Sequence, residues 1–281
     1  MSTRAADVPR GPALTADQCL ERLLAAHETS NSVAKFGQYW FIRDERMLGA
    51  GACHAICIDW VRRKLFTNKT SFAVSKKGEG PTDPGERKEW MKTRLEKKGD
   101  RLAELQWKLS GFLGYTDPPD MTTVLGHVSE KGPDKYWVMD QTKVARIRDV
   151  TVLPPSSNPE SGGRALFGAI LEACLAPGAA ELYHPKYRRP ERAGTLDPGA
   201  PSLCYIVGIA NGAGDGHALG FEVRRANGRT TIHFMDPNVG EFRYDLETER
   251  EKLLELGHYL WNFYRLKGKT YDRYHIDFIG T

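Results

Sequence analysis

Long apolar runs are missing from this chain. The two longest, Leu203–Ala210 and Ala165–Leu175, fall well short of a bilayer's thickness, and Glu172 interrupts the second. No apolar stretch follows the first residues either. Met1–Leu14 reads MSTRAADVPRGPAL, so no Sec-type signal is expected. An excess of one charge is also missing. The 40 basic and 36 acidic residues leave a net charge of +4, too small and too scattered to point to nucleic acid. Lys186–Arg192 (KYRRPER) is a basic loop that could touch an anionic membrane or an acidic substrate, although exposed charge is its commoner meaning. Cysteine is sparse: Cys19, Cys53, Cys57, Cys174 and Cys204 make an odd number with no disulfide spacing. Five reduced thiols, most of them buried, are expected, which suits folding in a reducing compartment. No internal repeat is present.

What remains is ordinary for a folded enzyme or binding domain. The 281 residues are 40% hydrophobic and 27% charged, enough to bury a core without staples. Residues 1–13 read as a flexible lead rich in Pro, Arg and Ala, and 14–281 as the folded part. Thr15 and Gln18 make a capping-box pattern ahead of Leu20, Leu23 and Leu24. Gly49-Ala50-Gly51 opens a helix whose stripe, Ala52, Cys53, Ile56, Cys57, Trp60 and Val61, predicts a buried central element. Lys76–Gly85 reads as a loop, Glu86–Leu109 as a helix split near Gly99-Asp100, and Tyr136–Met139 as a strand. Pro154–Gly163 and Pro177–Pro201 are loops around a helix at Leu166–Leu175.

The last third carries strand patterns at Leu203–Ile209, His217–Arg225, Thr230–Asp236, Glu241–Tyr244 and Tyr274–Ile279. Thr248 and Glu251 form a capping box for a helix that turns Leu253, Leu256, Leu260 and Phe263 inward. Helices followed by antiparallel strands give an α+β layout. Asn227-Gly228 is a strong hairpin signal. A turn centred there sets Val223 opposite Ile232 and Phe221 opposite Phe234. His217, Leu219, Phe221 and Val223 then share one face with Ile232, Phe234 and Asp236. At the open end of that apolar face His217 and Asp236 become diagonal neighbours. A carboxylate beside an imidazole is what fixes the tautomer of a catalytic histidine and steadies its cation.

Cys53 stands where the glycines end and a helix begins, a position whose amides and dipole favour a thiolate. Its own amide would serve as one oxyanion-hole donor, with Gln38 and the Arg43–Arg46 stretch as candidates for the second. Gly51, Gly216 and Trp60 are candidates to line the substrate cleft. Taken alone, a cysteine at a helix start is more often structural, and Cys57, one turn deeper, reads as core. Cys53-His54-x-x-Cys57 hints at a metal, but no second pair with zinc spacing follows, so neither metal nor cofactor is expected. His54, His127, His184, His233, His258 and His275 have no evident partner, and Gly212–Gly216 reads as a mobile cleft rim rather than a nucleotide loop.

Three segments, GAGACHAICIDWVRR, GDGHALGFEV and FMDPNVGEFRY, together resemble the YopT/AvrPphB group of papain-like cysteine proteases. The resemblance covers about a third of the chain, in blocks, and a segment at about 69–201 has no counterpart in it. It implies a papain-like fold with a central antiparallel sheet against the helix bearing the nucleophile. It also implies Cys53 as nucleophile, His217 as general base and acid, Asp236 as orienting group, and hydrolysis of a peptide bond in a protein substrate. Most members are bacterial effectors that dedicated secretion machines deliver into host cells, which would make the substrate a host protein. Five thiols and no Sec signal fit that route and fit a cytoplasmic protein equally. The same triad also serves acyl transfer, as in a transglutaminase, deamidase or acyltransferase. An inactive relative used for binding, docking a partner through Lys88–Leu109, is the reading from another class.

Overall fold

The hairpin sits inside a seven-stranded sheet. This computed structural model describes residues 15, 18, 21, 32–35, 53–66, 86, 89–90, 92–93, 143–153, 162–176, 203–212, 215–226 and 228–280. The strands are β1 (Ser32–Lys35), β2 (Lys143–Val152), β3 (Leu203–Ala210), β4 (Gly216–Ala226), β5 (Arg229–Asp236), β6 (Gly240–Asp245) and β7 (Arg273–Gly280). They lie in the order β1-β6-β5-β4-β3-β7-β2, and every neighbouring pair is antiparallel. Among the described residues, three helices pack on the sheet: α1 (Cys53–Phe66), α2 (Gly162–Leu175) and α3 (Leu246–Leu266). The protein is thus a mixed structure of helices and an antiparallel sheet.

The register of the β4–β5 hairpin follows from its tight turn. Val223 pairs with Ile232, Phe221 with Phe234 and Ala226 with Arg229, as the sequence pattern predicts. Gly228 takes φ of 73°, the left-handed conformation such a turn demands. Period-two alternation then sorts the side chains. Phe221 and Phe234 face α2, where Phe167 meets both rings edge-on at 5.9 and 5.3 Å. Leu253, Leu256 and Leu260 of α3 join the same apolar layer.

The opposite face belongs to α1. Trp60 lies on Gly220, and a methyl group there would come within 3.0 Å of the indole. Lys64 reaches Glu222 of β4 at 3.2 Å, and its amine lies 2.8 Å from His233 of β5. Lys64 and Glu222 are both almost fully buried, and Arg224 closes the group on the other carboxylate oxygen at 2.7 Å. His233, partnerless in the sequence reading, is thus part of a buried charge cluster.

Several boundaries differ from expectation. The α3 cap is Asp245, whose carboxylate accepts from the Glu247 amide at 3.0 Å, and not Thr248. The helix opens three residues earlier than the capping-box pattern suggests, with a kink at Glu249. Gly162 and Gly163 belong to α2 rather than to a loop. Strand β2 was not anticipated. Its pairing with β7 shifts register between Arg146 and Arg148 and again between Arg148 and Thr151, which breaks the alternation a sequence search relies on. The Thr15–Gln18 capping box forms reciprocally, at 2.9 and 3.2 Å. The expected strand at Tyr136–Met139, the loops at Lys76–Gly85 and Pro177–Pro201, and most of the expected Glu86–Leu109 helix lie outside the described residues.

Candidate active site

Strand β4 begins at Gly216, so His217 stands at its open end. The hairpin brings Asp236 beside it: His217 Nε2 lies 2.9 Å from Asp236 Oδ1. Both groups are buried, Asp236 completely. Asp236 ends β5, and the turn that follows feeds it a backbone donor, the Asn238 amide at 2.8 Å from Oδ1. Asp236 is therefore held as an acceptor by the local chain as well as by the ring.

Cys53 reaches the same ring from the first turn of α1. Burial lowers the His217 pKa, but the Asp236 charge, the hydrogen bond to Asp236 and the hydrogen bond and charge of Cys53 together push it up to about 10. The helix is tied to this end of β4 one turn further on, where the Cys57 thiol donates to the Ala218 carbonyl at 3.4 Å. The two cysteines differ in access. Cys53 keeps 8% of its surface, while Cys57 and Cys204 keep none and Cys174 keeps 2%. Burial, with Cys53 and Asp236 adding to it, pushes the Cys57 thiol well up, and burial alone does the same to Cys174. These two remain protonated packing groups, and the four described cysteines form no disulfide.

A residue that sequence reasoning passed over completes the cluster. The Tyr264 hydroxyl of α3 lies 2.9 Å from Asp236 Oδ1, 2.8 Å from Oδ2 and 2.9 Å from His217 Nε2. The Asn238 side-chain amide donates to the same hydroxyl at 3.0 Å. Tyr264 follows Leu260 by four positions on the inward stripe of α3, which reads as core. Its signal was the polar tip, since a tyrosine buried on an apolar face needs a partner for its hydroxyl.

Trp60, expected at the substrate cleft, is buried against the sheet. It is 3% exposed, packed between α1 and the sheet, and its indole N–H donates to Glu241. The alternation that places Gly220 on this face leaves room for the indole, and burial follows. Gly216 is exposed beside His217. Gln38 and Gly51 lie outside the described residues. The connection after β3, read as a mobile rim, is pinned at its ends by the Asn211 amide to the Asp215 carbonyl and the Asp215 amide to Asn211 Oδ1, both 3.0 Å. Lys269 holds Asp215 at 2.6 Å. His54, beside the candidate nucleophile, is lowered to about 4 by burial and by His275, against Asp277, so it is a neutral imidazole. Among the described residues no three His, Cys, Asp or Glu side chains are placed to hold a metal ion.

No family model matches the sequence. No curated protein matches it either. Among solved structures, the avirulence protein AvrPphB of Pseudomonas is similar to this chain, with 13% identity and a TM-score of 0.42 over 89% of this chain and 97% of the other.

Proposed function

We propose that this chain is a papain-like cysteine peptidase in which Cys53 attacks, His217 moves the proton and Asp236 orients the ring. One observation carries the reading: a buried imidazole held at 2.9 Å by a buried carboxylate and hydrogen-bonded to a cysteine at the mouth of a helix. Nε2 is taken by Asp236, so Nδ1 is the nitrogen left for the thiol. A ring that stays cationic at neutral pH makes the resting state a thiolate–imidazolium pair. The thiolate adds to the substrate carbonyl carbon, and His217 gives its proton to the leaving amine. The acyl-thioester is then cleaved by water, whose proton returns to His217.

The sequence adds its own support. Gly216-His217-Ala218 and the Phe234–Phe242 stretch resemble motifs of the YopT/AvrPphB group. A protein substrate in a host cell, reached by a dedicated secretion route, is the setting that likeness favours. The cleavage product's mass tells whether water or an amine takes the acyl group.

The test is a limiting dose of iodoacetamide at pH 6, with the alkylated cysteine located by mass spectrometry. Cys53 reacts at least about tenfold faster than the buried thiols, and His217→Ala removes that advantage. Cys53→Ala abolishes both labelling and turnover while the protein stays folded. Equal labelling of all the cysteines, or turnover surviving in Cys53→Ala, ends the reading.

A further inference from the structure

We infer that Tyr264 is a positioning residue of this centre, a fourth member that clamps the Asp236–His217 pair through its phenol oxygen. The inference rests on the function proposed above and adds a residue from α3, an element that supplies none of the triad.

The hydrogen-bond inventory around the hydroxyl is what distinguishes Tyr264 from a core tyrosine. Burial first, and the Asp236 carboxylate next, push its phenol well above the ordinary value, so the oxygen keeps its proton. That proton goes to Asp236, whose Oδ2 receives no other donor among the described hydrogen bonds. The lone pairs of the phenol oxygen face two donors, the Asn238 amide and the N–H on His217 Nε2. Every valence of the oxygen is therefore spent inside the centre. Behind it the ring is wedged in place, with the Phe263, Tyr271 and His217 ring centroids 5.3, 5.5 and 5.2 Å away.

The arrangement serves both protonation states of His217. Nε2 carries a proton in the cation and in the neutral tautomer that faces the thiol through Nδ1. Tyr264 accepts from that N–H throughout, so the ring keeps its plane while the other nitrogen gains and loses its proton. Without the hydroxyl, Asp236 loses the donor on Oδ2 and the imidazole loses one of its two holds. The thiol then meets a less fixed cation, and the ion pair weakens with distance.

Tyr264→Phe keeps the ring and its packing and removes only the oxygen. The experiment measures the rate of Cys53 alkylation by iodoacetamide against pH in the full chain. Its midpoint rises by about one pH unit, and at pH values below the wild-type midpoint the rate falls about tenfold with it. A residue that merely fills space would leave the profile unmoved. Asn238→Ala is the second variant. It strips the side-chain donor from the phenol and keeps the backbone amide on Asp236, so it shifts the midpoint in the same direction by less. If Tyr264→Phe does not fold, Asn238→Ala decides alone. Wild-type profiles in the folded variants overturn the clamp. A wild-type Cys53 with no fast alkylation overturns the peptidase reading itself, which is a separate outcome.

Discussion

His217 gives the protein a stability that depends on pH. Its pKa is raised from 6.5 to about 10 in the fold, against the pull of burial, by the Asp236 charge and hydrogen bond and by Cys53. A raised folded value means that the native state binds the proton more tightly than the unfolded chain. The contribution is complete below about pH 6.5, declines as pH rises above it, and is gone once pH passes about 10. Urea melts across that window should show the wild type losing stability with rising pH, while His217→Gln has a flatter profile. Parallel profiles would contradict the assignment. At this scale the sequence was informative where a residue's neighbours are dictated by alternation, as for His217 and Asp236. It was silent where they come from another element, as for Tyr264, whose stripe position on α3 says nothing of what its hydroxyl will meet.

Two glycines set how the helices behind the sheet meet. A methyl group on Gly163 of α2 would stand 2.3 Å from the Gly257 carbonyl oxygen and 2.5 Å from Trp261 Cβ. One on Gly257 of α3 would stand 2.5 Å from Phe167 Cγ. The backbones touch, and no soft side chain can yield. Gly163→Ala therefore destabilises by about 1–3 kcal/mol, and the shift in denaturant midpoint measures it. Since α3 carries Tyr264, that variant should also blunt Cys53 alkylation. Gly168→Ala on the same helix, where nothing lies within 4 Å, is the control and should be neutral or mildly stabilising. The sequence hid this crossing because a Gly-Gly pair after a Pro- and Ser-rich stretch reads as loop punctuation. It misplaced the α3 cap for a related reason. Thr248-x-x-Glu251 is a valid capping pattern, but Asp245 was already positioned by the end of β6 and captured the helix first.

Among the described residues, helices cover both faces of the sheet, joined through charge on one side and through aromatic rings on the other. The charged side is the Lys64–Glu222 pair with Arg224 and His233, and Lys64 also lies 5.1 Å from the Trp60 ring centroid. Glu222→Leu leaves the Lys64 ammonium buried without that carboxylate, and stability falls by about 3–5 kcal/mol. Adding Lys64→Met recovers much of the loss, because a matched apolar pair has no charge to desolvate. A double-mutant cycle by chemical denaturation checks both statements, and strict additivity would refute them. The order of the strands was only partly legible. Hairpins declare their pairing through turn and alternation, whereas β7 inserts between β3 and β2 by long-range packing that no local pattern encodes.

The thread from Cys57 to the Ala218 carbonyl joins positions 161 residues apart in sequence. On a ribosome, the sulfur beside it emerges long before the strand that bears His217, and longer still before the helix that bears Tyr264. A half-made chain therefore exposes only an ordinary thiol to its surroundings. On the function proposed above, the Cys53–His217–Asp236–Tyr264 arrangement is complete only once translation has passed α3.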